Sequence, residues 1–135
     1  MKDKDLIKYS NDIVTILGKG LNGLSETKSQ IYAGNSGTMA RLLSGILSAQ
    51  NFNSSISGDE SLVTRPMKRI IEPLESFGAL IKSKDQKLPI NFKSSNSIKP
   101  IKYHSHIPSA QVKSCLILAA LYMKGESIIS EDIKT

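Results

Sequence analysis

The segment from Asn35 to Arg41 (Asn-Ser-Gly-Thr-Met-Ala-Arg) has the residue types and spacing that most clearly suggest a binding site in the chain. It predicts the end of a strand, a glycine turn and a helix start, because apolar residues then recur at the spacing of one helix face: Met39, Leu42, Leu43, Ile46 and Leu47. Free N–H groups and the helix dipole attract phosphate or carboxylate to such a start. Gly37 lets an anion approach the backbone, and the guanidinium fork of Arg41 suits a phosphate. The segment predicts an anion site; the alternative is a capped helix whose arginine points to water.

A second helix start of the same kind lies between Ser61 and Arg69. Pro66 suits the first helical position, which places Arg65 at the mouth of the helix, where it could bind a carboxylate or phosphate. The alternative is a surface arginine before a proline-started helix. Lys68 and Arg69 are expected to face solvent.

A third start follows Pro108, where Ser109 is a good N-cap and Gln111 falls in the first turn. The Gln111 amide could hydrogen-bond a polar ligand. Since the helix that follows is very apolar, these polar residues at its N-terminus suggest that they line a pocket. The alternative is a simple helix cap.

Other reactive side chains are given structural roles. Cys115 lies among apolar residues with no base beside it in sequence, so it is expected in the core. His104 and His106 share one strand face, but no third ligand lies near them in sequence, so no metal site is predicted. Asp59 and the residue after it, beside Gly58, are expected to form a turn.

The elements that must position these residues follow from periodicity. From Ile31 to Lys93 the pattern predicts strand, helix, strand, helix, strand, strand, with the second helix running from about Pro66, through Pro73, to a stop at Gly78. Later segments predict an extended stretch, a third helix apolar on nearly every side and thus buried all round, and a last strand: 98–107, 110–123 and 127–130. Residues 1–11 are expected to fray before a short strand at 13–17.

Composition narrows the class of protein. A length of 135 residues suits one domain, and no apolar run approaches the ~20 residues of a membrane span, so a soluble, cytoplasmic protein is expected. The net charge of +6 favours an anionic partner. Aromatic residues make up only 5% of the chain and lysines are spread out, so nucleic acid is not the expected partner.

Three motifs together resemble one family. Gly34 to Leu43, then Gly58 to Met67 with Pro73-Leu74 and Gly78-Ala79, then Ser109 to Ser114 are similar to 5-enolpyruvylshikimate-3-phosphate (EPSP) synthase in identity, order and spacing. The related enolpyruvyl transferase of cell-wall synthesis shares the fold but differs around the arginine-proline segment.

The resemblance implies an α/β (α+β) fold of repeated βαβαββ units, the inside-out barrel of the enolpyruvyl transferases, with helices inside and sheets outside. The chain is expected to be one partial domain, with one unit at about 30–93 and part of a second at about 97–135. The implied reaction transfers the enolpyruvyl group of phosphoenolpyruvate to the 5-hydroxyl of shikimate 3-phosphate, without metal or organic cofactor.

The resemblance also implies roles for individual residues. Those expected at phosphoenolpyruvate are Asn35, Gly37, Thr38, Arg41, Arg65 and Gln111. Those expected at shikimate 3-phosphate are Ser109, the backbone of Ala110, and Gln111. The family's lysine-serine and arginine motif is not found before Asn35, and its proton-transfer aspartate and glutamate lie beyond the part matched here. No catalytic residue is therefore assigned, and the chain alone is expected to have little or no turnover.

Two other functions remain open from sequence. One is a non-catalytic anion-binding or assembly module, completed by a partner chain or by self-association through exposed edges. The other is nucleic-acid binding, which would show a steep salt dependence.

Overall fold

The computed structural model describes residues 7–132 and consists of short strands around three helices. The helices are α1 (Gly37–Ser48), α2 (Lys68–Ser76) and α3 (Ala110–Ala120), and a 3₁₀ turn at Leu62–Thr64 precedes α2. The strands are β1 (Ile7–Ser10), β2 (Ile13–Ile16), β3 (Ile31–Tyr32), β4 (Ser54–Ser57), β5 (Leu80–Ser83), β6 (Ile90–Lys93), β7 (Lys102–Ser105) and β8 (Ile128–Glu131).

The central sheet has the strand order β3-β4-β6-β5. β3 and β4 are parallel, as a helical crossover through α1 requires, and the remaining neighbours are antiparallel. Ile90 and Phe92 of β6 are buried while Asn91 and Lys93 are exposed, so one face of the sheet covers the core. The predicted order of strand, helix, strand, helix, strand, strand is confirmed.

The helices lie against one another and against this sheet. α1 and α3 approach closely at Gly45, where an added Cβ atom would collide with the carbonyl oxygen of Cys115. Ser44 is buried in the same region and donates its hydroxyl to the Ala40 carbonyl, so its polar atom is satisfied inside the helix. Cys115 is fully buried, as predicted, and burial raises the pKa of its thiol to about 12.

The last three elements are β7, α3 and β8, in which the two strands are parallel and the helix connects them. The architecture is thus a mixed α/β fold in which the described residues form no closed barrel, as expected of an incomplete domain.

Three details of the sequence analysis are wrong. Ile7–Ser10 does not fray but pairs antiparallel with β2; the other residues expected to fray, 1–6, lie outside the described residues. The second helix begins at Lys68 rather than Pro66, because the 3₁₀ turn and an extended Arg65 come first. The third helix is not buried all round: Ile117, and Leu121 just past its end, are exposed because α1, α2 and β8 pack against its other sides.

The predicted stop of the second helix at Gly78 is confirmed. Gly78 has φ +103°, and the N–H groups of Gly78 and Ala79 donate to the Glu75 and Leu74 carbonyls, the pattern of a Schellman motif. Pro73 lies inside α2, three residues before its end. Among the described residues, the helices are all too short or too polar to cross a bilayer.

Candidate functional site

The N-terminus of α1 carries two guanidinium groups directly above its backbone. Gly37 is buried as the first residue of the helix, and a Cβ atom there would lie 3.1 Å from Arg41 Nη1 and 3.4 Å from Arg65 Nη1. Ser36 is the N-cap and accepts the Met39 N–H at 3.0 Å. The N–H groups of Gly37 and Thr38 have no acceptor within the helix. Backbone donors and two cations therefore converge on one spot.

Arg65 is held in place by a chain of hydrogen bonds from the loop between β4 and the 3₁₀ turn. Its Nη2 donates to Asn35 Oδ1 at 2.8 Å, and Asn35 Nδ2 in turn donates to both carboxylate oxygens of Asp59 at 3.1 and 2.8 Å. Asp59 also accepts the Leu62 N–H at 2.8 Å. This bond, followed by the Asn35 amide, holds the pKa of Asp59 below its usual range. Asp59 thus orients Asn35, and Asn35 orients Arg65.

Arg41 connects α1 to the start of α3. Its Nη1 donates to Gln111 Oε1 at 2.6 Å, and Gln111 Nε2 donates to Thr38 Oγ1 at 2.9 Å. Since these residues are about seventy positions apart, only the packing of α1 on α3 brings them together. The Gln111 amide therefore accepts from the Arg41 guanidinium through its oxygen and donates to the first turn of α1 through its nitrogen.

The arginines of this region form no direct ion pair with a carboxylate among the described residues, although the Asp59 charge acts on Arg65 through space. Among the described residues, neither Arg41 nor Arg65 forms an ion pair, and both bond to amide oxygens instead. Burial, followed by the charges of Arg65 and Arg69, lowers the pKa of Arg41, although a guanidinium stays protonated in proteins. Like charges held together in this way favour the binding of an anion, which would relieve their repulsion.

A hollow of about 470 Å³ lies beside Arg41 and is lined by residues from all three helix starts. They include Arg69, Ser109 and Gln111. Ser109 is the N-cap of α3 and accepts the Val112 N–H at 3.4 Å, and Ala110 follows as the first helical residue. The structure thus places all eight predicted site residues at or beside the starts of α1 and α3, with Arg65 joining from the loop before α2.

Two residues of this region were not assigned to it from sequence. Asp59 was expected only to form a turn; it does bond to the Leu62 N–H, but it also fixes Asn35. Arg69 is exposed, as expected, yet it lines the hollow and its charge acts on Arg41. The Ser61-to-Arg69 segment has three cationic side chains near one helix start, and that clustering was the available signal.

Comparisons with known proteins identify the family of the chain. The family model described as EPSP synthase (3-phosphoshikimate 1-carboxyvinyltransferase) matches residues 4–135. A 3-phosphoshikimate 1-carboxyvinyltransferase of Vesicomyosocius okutanii is 53% identical over 96% of this chain and 30% of that protein. One of Streptococcus mutans is 45% identical over 96% of this chain and 31% of that protein.

A solved structure of EPSP synthase from Acinetobacter baumannii has a TM-score of 0.89 to this chain at 42% identity. The match covers 98% of this chain and 31% of the Acinetobacter baumannii chain. The chain therefore spans about 30% of the length of the relatives it matches. Sequence and structure agree in showing that this chain belongs to the EPSP synthase family.

Proposed function

We propose that this chain forms part of the substrate site of an enzyme that transfers the enolpyruvyl group of phosphoenolpyruvate to the 5-hydroxyl of shikimate 3-phosphate. Family membership supports this class of reaction. The observation that carries the proposal is the cluster of guanidinium groups, Arg41 and Arg65 with Arg69 nearby, without a carboxylate partner among the described residues. Such a cluster suits substrates that are anions.

Phosphoenolpyruvate matches the start of α1. It carries a phosphate and a carboxylate, and two guanidinium forks above a helix N-terminus can bind both groups by charge-assisted hydrogen bonds. In this proposal Arg65 and the Gly37 backbone contact phosphoenolpyruvate. Asn35, Thr38 and Arg41 shape its pocket, with Asn35 and Gln111 holding the two arginines in position through their side-chain oxygens.

Shikimate 3-phosphate is assigned to the start of α3. The first N–H groups of that helix are free to bind its phosphate, with the Ser109 hydroxyl and the Ala110 backbone as donors. Gln111 would lie against the ring of shikimate 3-phosphate and near phosphoenolpyruvate. Because its amide also reaches Arg41 and Thr38, Gln111 joins the two substrate sites.

The chemical step is proposed to require groups outside these 135 residues. No residue of the chain is assigned a proton-transfer role, and the chain spans about 30% of its relatives. Since positioning and preorganised charge supply most of such an enzyme's acceleration, we expect no measurable turnover by the chain alone. We expect it to work in the cytoplasm, beside a chain that completes the site.

Self-association is an alternative way to cover the exposed apolar surface. Tyr9, Val14 and Ile16 lie on one face of the β1–β2 hairpin and are all exposed, which is unusual for so many large apolar side chains in one place. A purely non-catalytic assembly module is not favoured, because the chain resembles one enzyme family over nearly its whole length.

An amide NMR titration tests the proposed function. Shikimate 3-phosphate and phosphoenolpyruvate would be added separately to the 135-residue chain, with inorganic phosphate as the control. We expect shifts clustered at 35–41 for phosphoenolpyruvate and at 109–111 for shikimate 3-phosphate, each saturating at lower concentration than with phosphate. Shifts that are scattered, or that saturate no earlier than with phosphate, would contradict the proposal.

A further inference from the structure

A cluster of two histidines and one aspartate lies at the end of the β7–β8 pair, outside the site described above. From sequence alone no metal is predicted here, because His104 and His106 lack a third ligand nearby in the chain. The fold supplies one. β7 and β8 are parallel with His104 opposite Ser130, so Asp132, just past the end of β8, comes to lie beside both rings.

The donor atoms of the three side chains already converge. Asp132 Oδ1 lies 2.8 Å from His104 Nε2, and Oδ2 lies 3.1 Å from His106 Nδ1. One donor atom from each residue lies within 4.8 Å of the other two. In a tetrahedral zinc site with bonds of about 2.1 Å, donor atoms are about 3.4 Å apart. Side-chain rotations therefore suffice to close the cluster around an ion, with the carboxylate moving aside to admit it.

The surroundings of His104 match those of a metal-binding histidine. Its second ring nitrogen, Nδ1, lies 2.9 Å from the Ser130 hydroxyl, which fixes the ring and directs Nε2 toward Asp132. Metal-bound histidines characteristically have such a partner on the nitrogen that faces away from the ion. Ser130 is supplied by the neighbouring strand at the paired position, so the orientation of the ring follows from the sheet register.

The donor set and its exposure define the class of ion. Imidazole nitrogens suit zinc, nickel and copper, whereas calcium and magnesium prefer sites made only of oxygen. His104, His106 and Asp132 are 45%, 81% and 51% exposed, so an ion can enter from solvent and keep water at its remaining positions. Arg69 lines the adjacent hollow with both histidines, and its charge opposes a cation, so the Asp132 carboxylate is needed for affinity.

We propose that His104, His106 and Asp132 form a surface binding site for a divalent cation of the zinc class. The ion would take one ligand from each residue and water at the open position. It would fasten the end of β7 to the residue that follows β8, close to the loop that leads into Ser109. It takes no part in the enolpyruvyl transfer proposed above, so either proposal can fail without the other.

Calorimetric titration of Zn²⁺ into the 135-residue chain tests this site, with the ¹⁵N shifts of the histidine rings as a local readout. We expect one Zn²⁺ per chain, with His104 Nε2 and His106 Nδ1 shifting together, and no competition from Mg²⁺. His106→Ala and Asp132→Asn should each weaken binding by at least about tenfold. Asp85→Asn, which removes the same charge from an exposed turn, should leave the affinity unchanged.

Three results would overturn the proposal. They are the absence of saturable Zn²⁺ binding, an affinity that survives the double substitution His104→Ala/His106→Ala, or equal weakening by Asp132→Asn and Asp85→Asn. Because all three ligands are exposed, the variants are expected to fold, and circular dichroism would verify this for each.

Discussion

At the scale of single residues, Asp59 shows how a side chain away from the guanidinium groups determines their placement. Its carboxylate accepts the Asn35 amide and the Leu62 N–H, and Asn35 then presents its oxygen to Arg65. A charged acceptor strengthens such hydrogen bonds, so the ionised form of Asp59 stabilises the whole chain of contacts.

Asp59→Asn is therefore expected to change how stability depends on pH. The folded-state pKa of Asp59 is lowered, so its ionised form contributes stability above the unfolded pKa, and that contribution is lost as the pH falls through the lower folded value. In the wild type the urea midpoint should fall as the pH drops below about 4. The fall should be shallower in Asp59→Asn but unaltered in Asp85→Asn. Equal slopes in both variants would contradict this role of Asp59.

Gly37→Ala tests the close approach of the arginines to the α1 backbone. The added Cβ would lie 3.1 Å from Arg41 Nη1, so that guanidinium must retreat by a few tenths of an ångström, and it would fill the space up to Arg65 Nη1 at 3.4 Å. Weakening one charge-assisted hydrogen bond should lower phosphoenolpyruvate affinity by about tenfold. Calorimetric titration would measure the affinities for both ligands, and the affinity for shikimate 3-phosphate should be unchanged. Equal loss of both ligands would refute the assignment of Gly37 to phosphoenolpyruvate.

At the scale of elements, the α1–α3 contact positions Gln111 on Arg41, and Gly45 makes that contact possible. Replacing an interior helical glycine with alanine ordinarily stabilises a helix by about 0.5–1 kcal/mol. Here the new Cβ would collide with the Cys115 carbonyl oxygen, a backbone atom that cannot rotate away.

Gly45→Ala is thus expected to destabilise the fold by about 1–3 kcal/mol, the cost of overpacking, instead of stabilising it. Urea unfolding followed by circular dichroism measures the change. The separation of α1 from α3 should also lengthen the Arg41–Gln111 contact and weaken phosphoenolpyruvate binding. A more stable Gly45→Ala variant would show that the two helices are not held as closely as described.

Elements that leave a local signal in the sequence could be predicted, and those without such a signal could not. α1 and the Gly78 stop were found because apolar spacing and a left-handed glycine leave local signals. β1 was missed because the segment around it is charged and polar, whereas β2, which is equally exposed, was found from its apolar residues. The prediction that α3 is buried on all sides was wrong. An apolar sequence shows which faces of a helix could be buried, but not whether another element packs against them.

Some features of the candidate site could likewise be predicted from sequence, and others could not. Gly37, Arg41 and Ser109 could be singled out because a helix start is a local feature of the sequence. The contacts Arg41–Gln111 and Asn35–Arg65 could not be derived locally, because each depends on how separate elements pack. Asp132 was missed for the same reason, as it reaches His104 only through the parallel register of β7 and β8.

At the scale of the whole molecule, the chain combines a buried core with a hairpin whose apolar side chains are exposed. Ile16 is 67% exposed on β2, beside the polar Thr15, which is also exposed. Such surfaces tend to be covered by another chain or by a second copy.

We expect the isolated chain to self-associate through this hairpin at high concentration. Ile16→Lys should shift the sedimentation profile toward monomer, because it replaces an apolar contact with a charge. Thr15→Lys is the matched control, since it adds the same charge without removing an apolar side chain, and it should change the profile less. A wild-type chain that stays monomeric at all concentrations would contradict self-association. The hairpin would then be covered by the chain that completes the substrate site.

Calorimetric titration with phosphoenolpyruvate would show whether the guanidinium cluster at the start of α1 binds an anionic substrate. Arg65→Met keeps an apolar stem but removes the fork, and should weaken binding by roughly 10–100-fold, the loss of about 1.5–3 kcal/mol. Lys84→Met removes the same charge from the exposed β5–β6 turn and should have no effect on affinity. Equal affinities in the two variants would contradict the account.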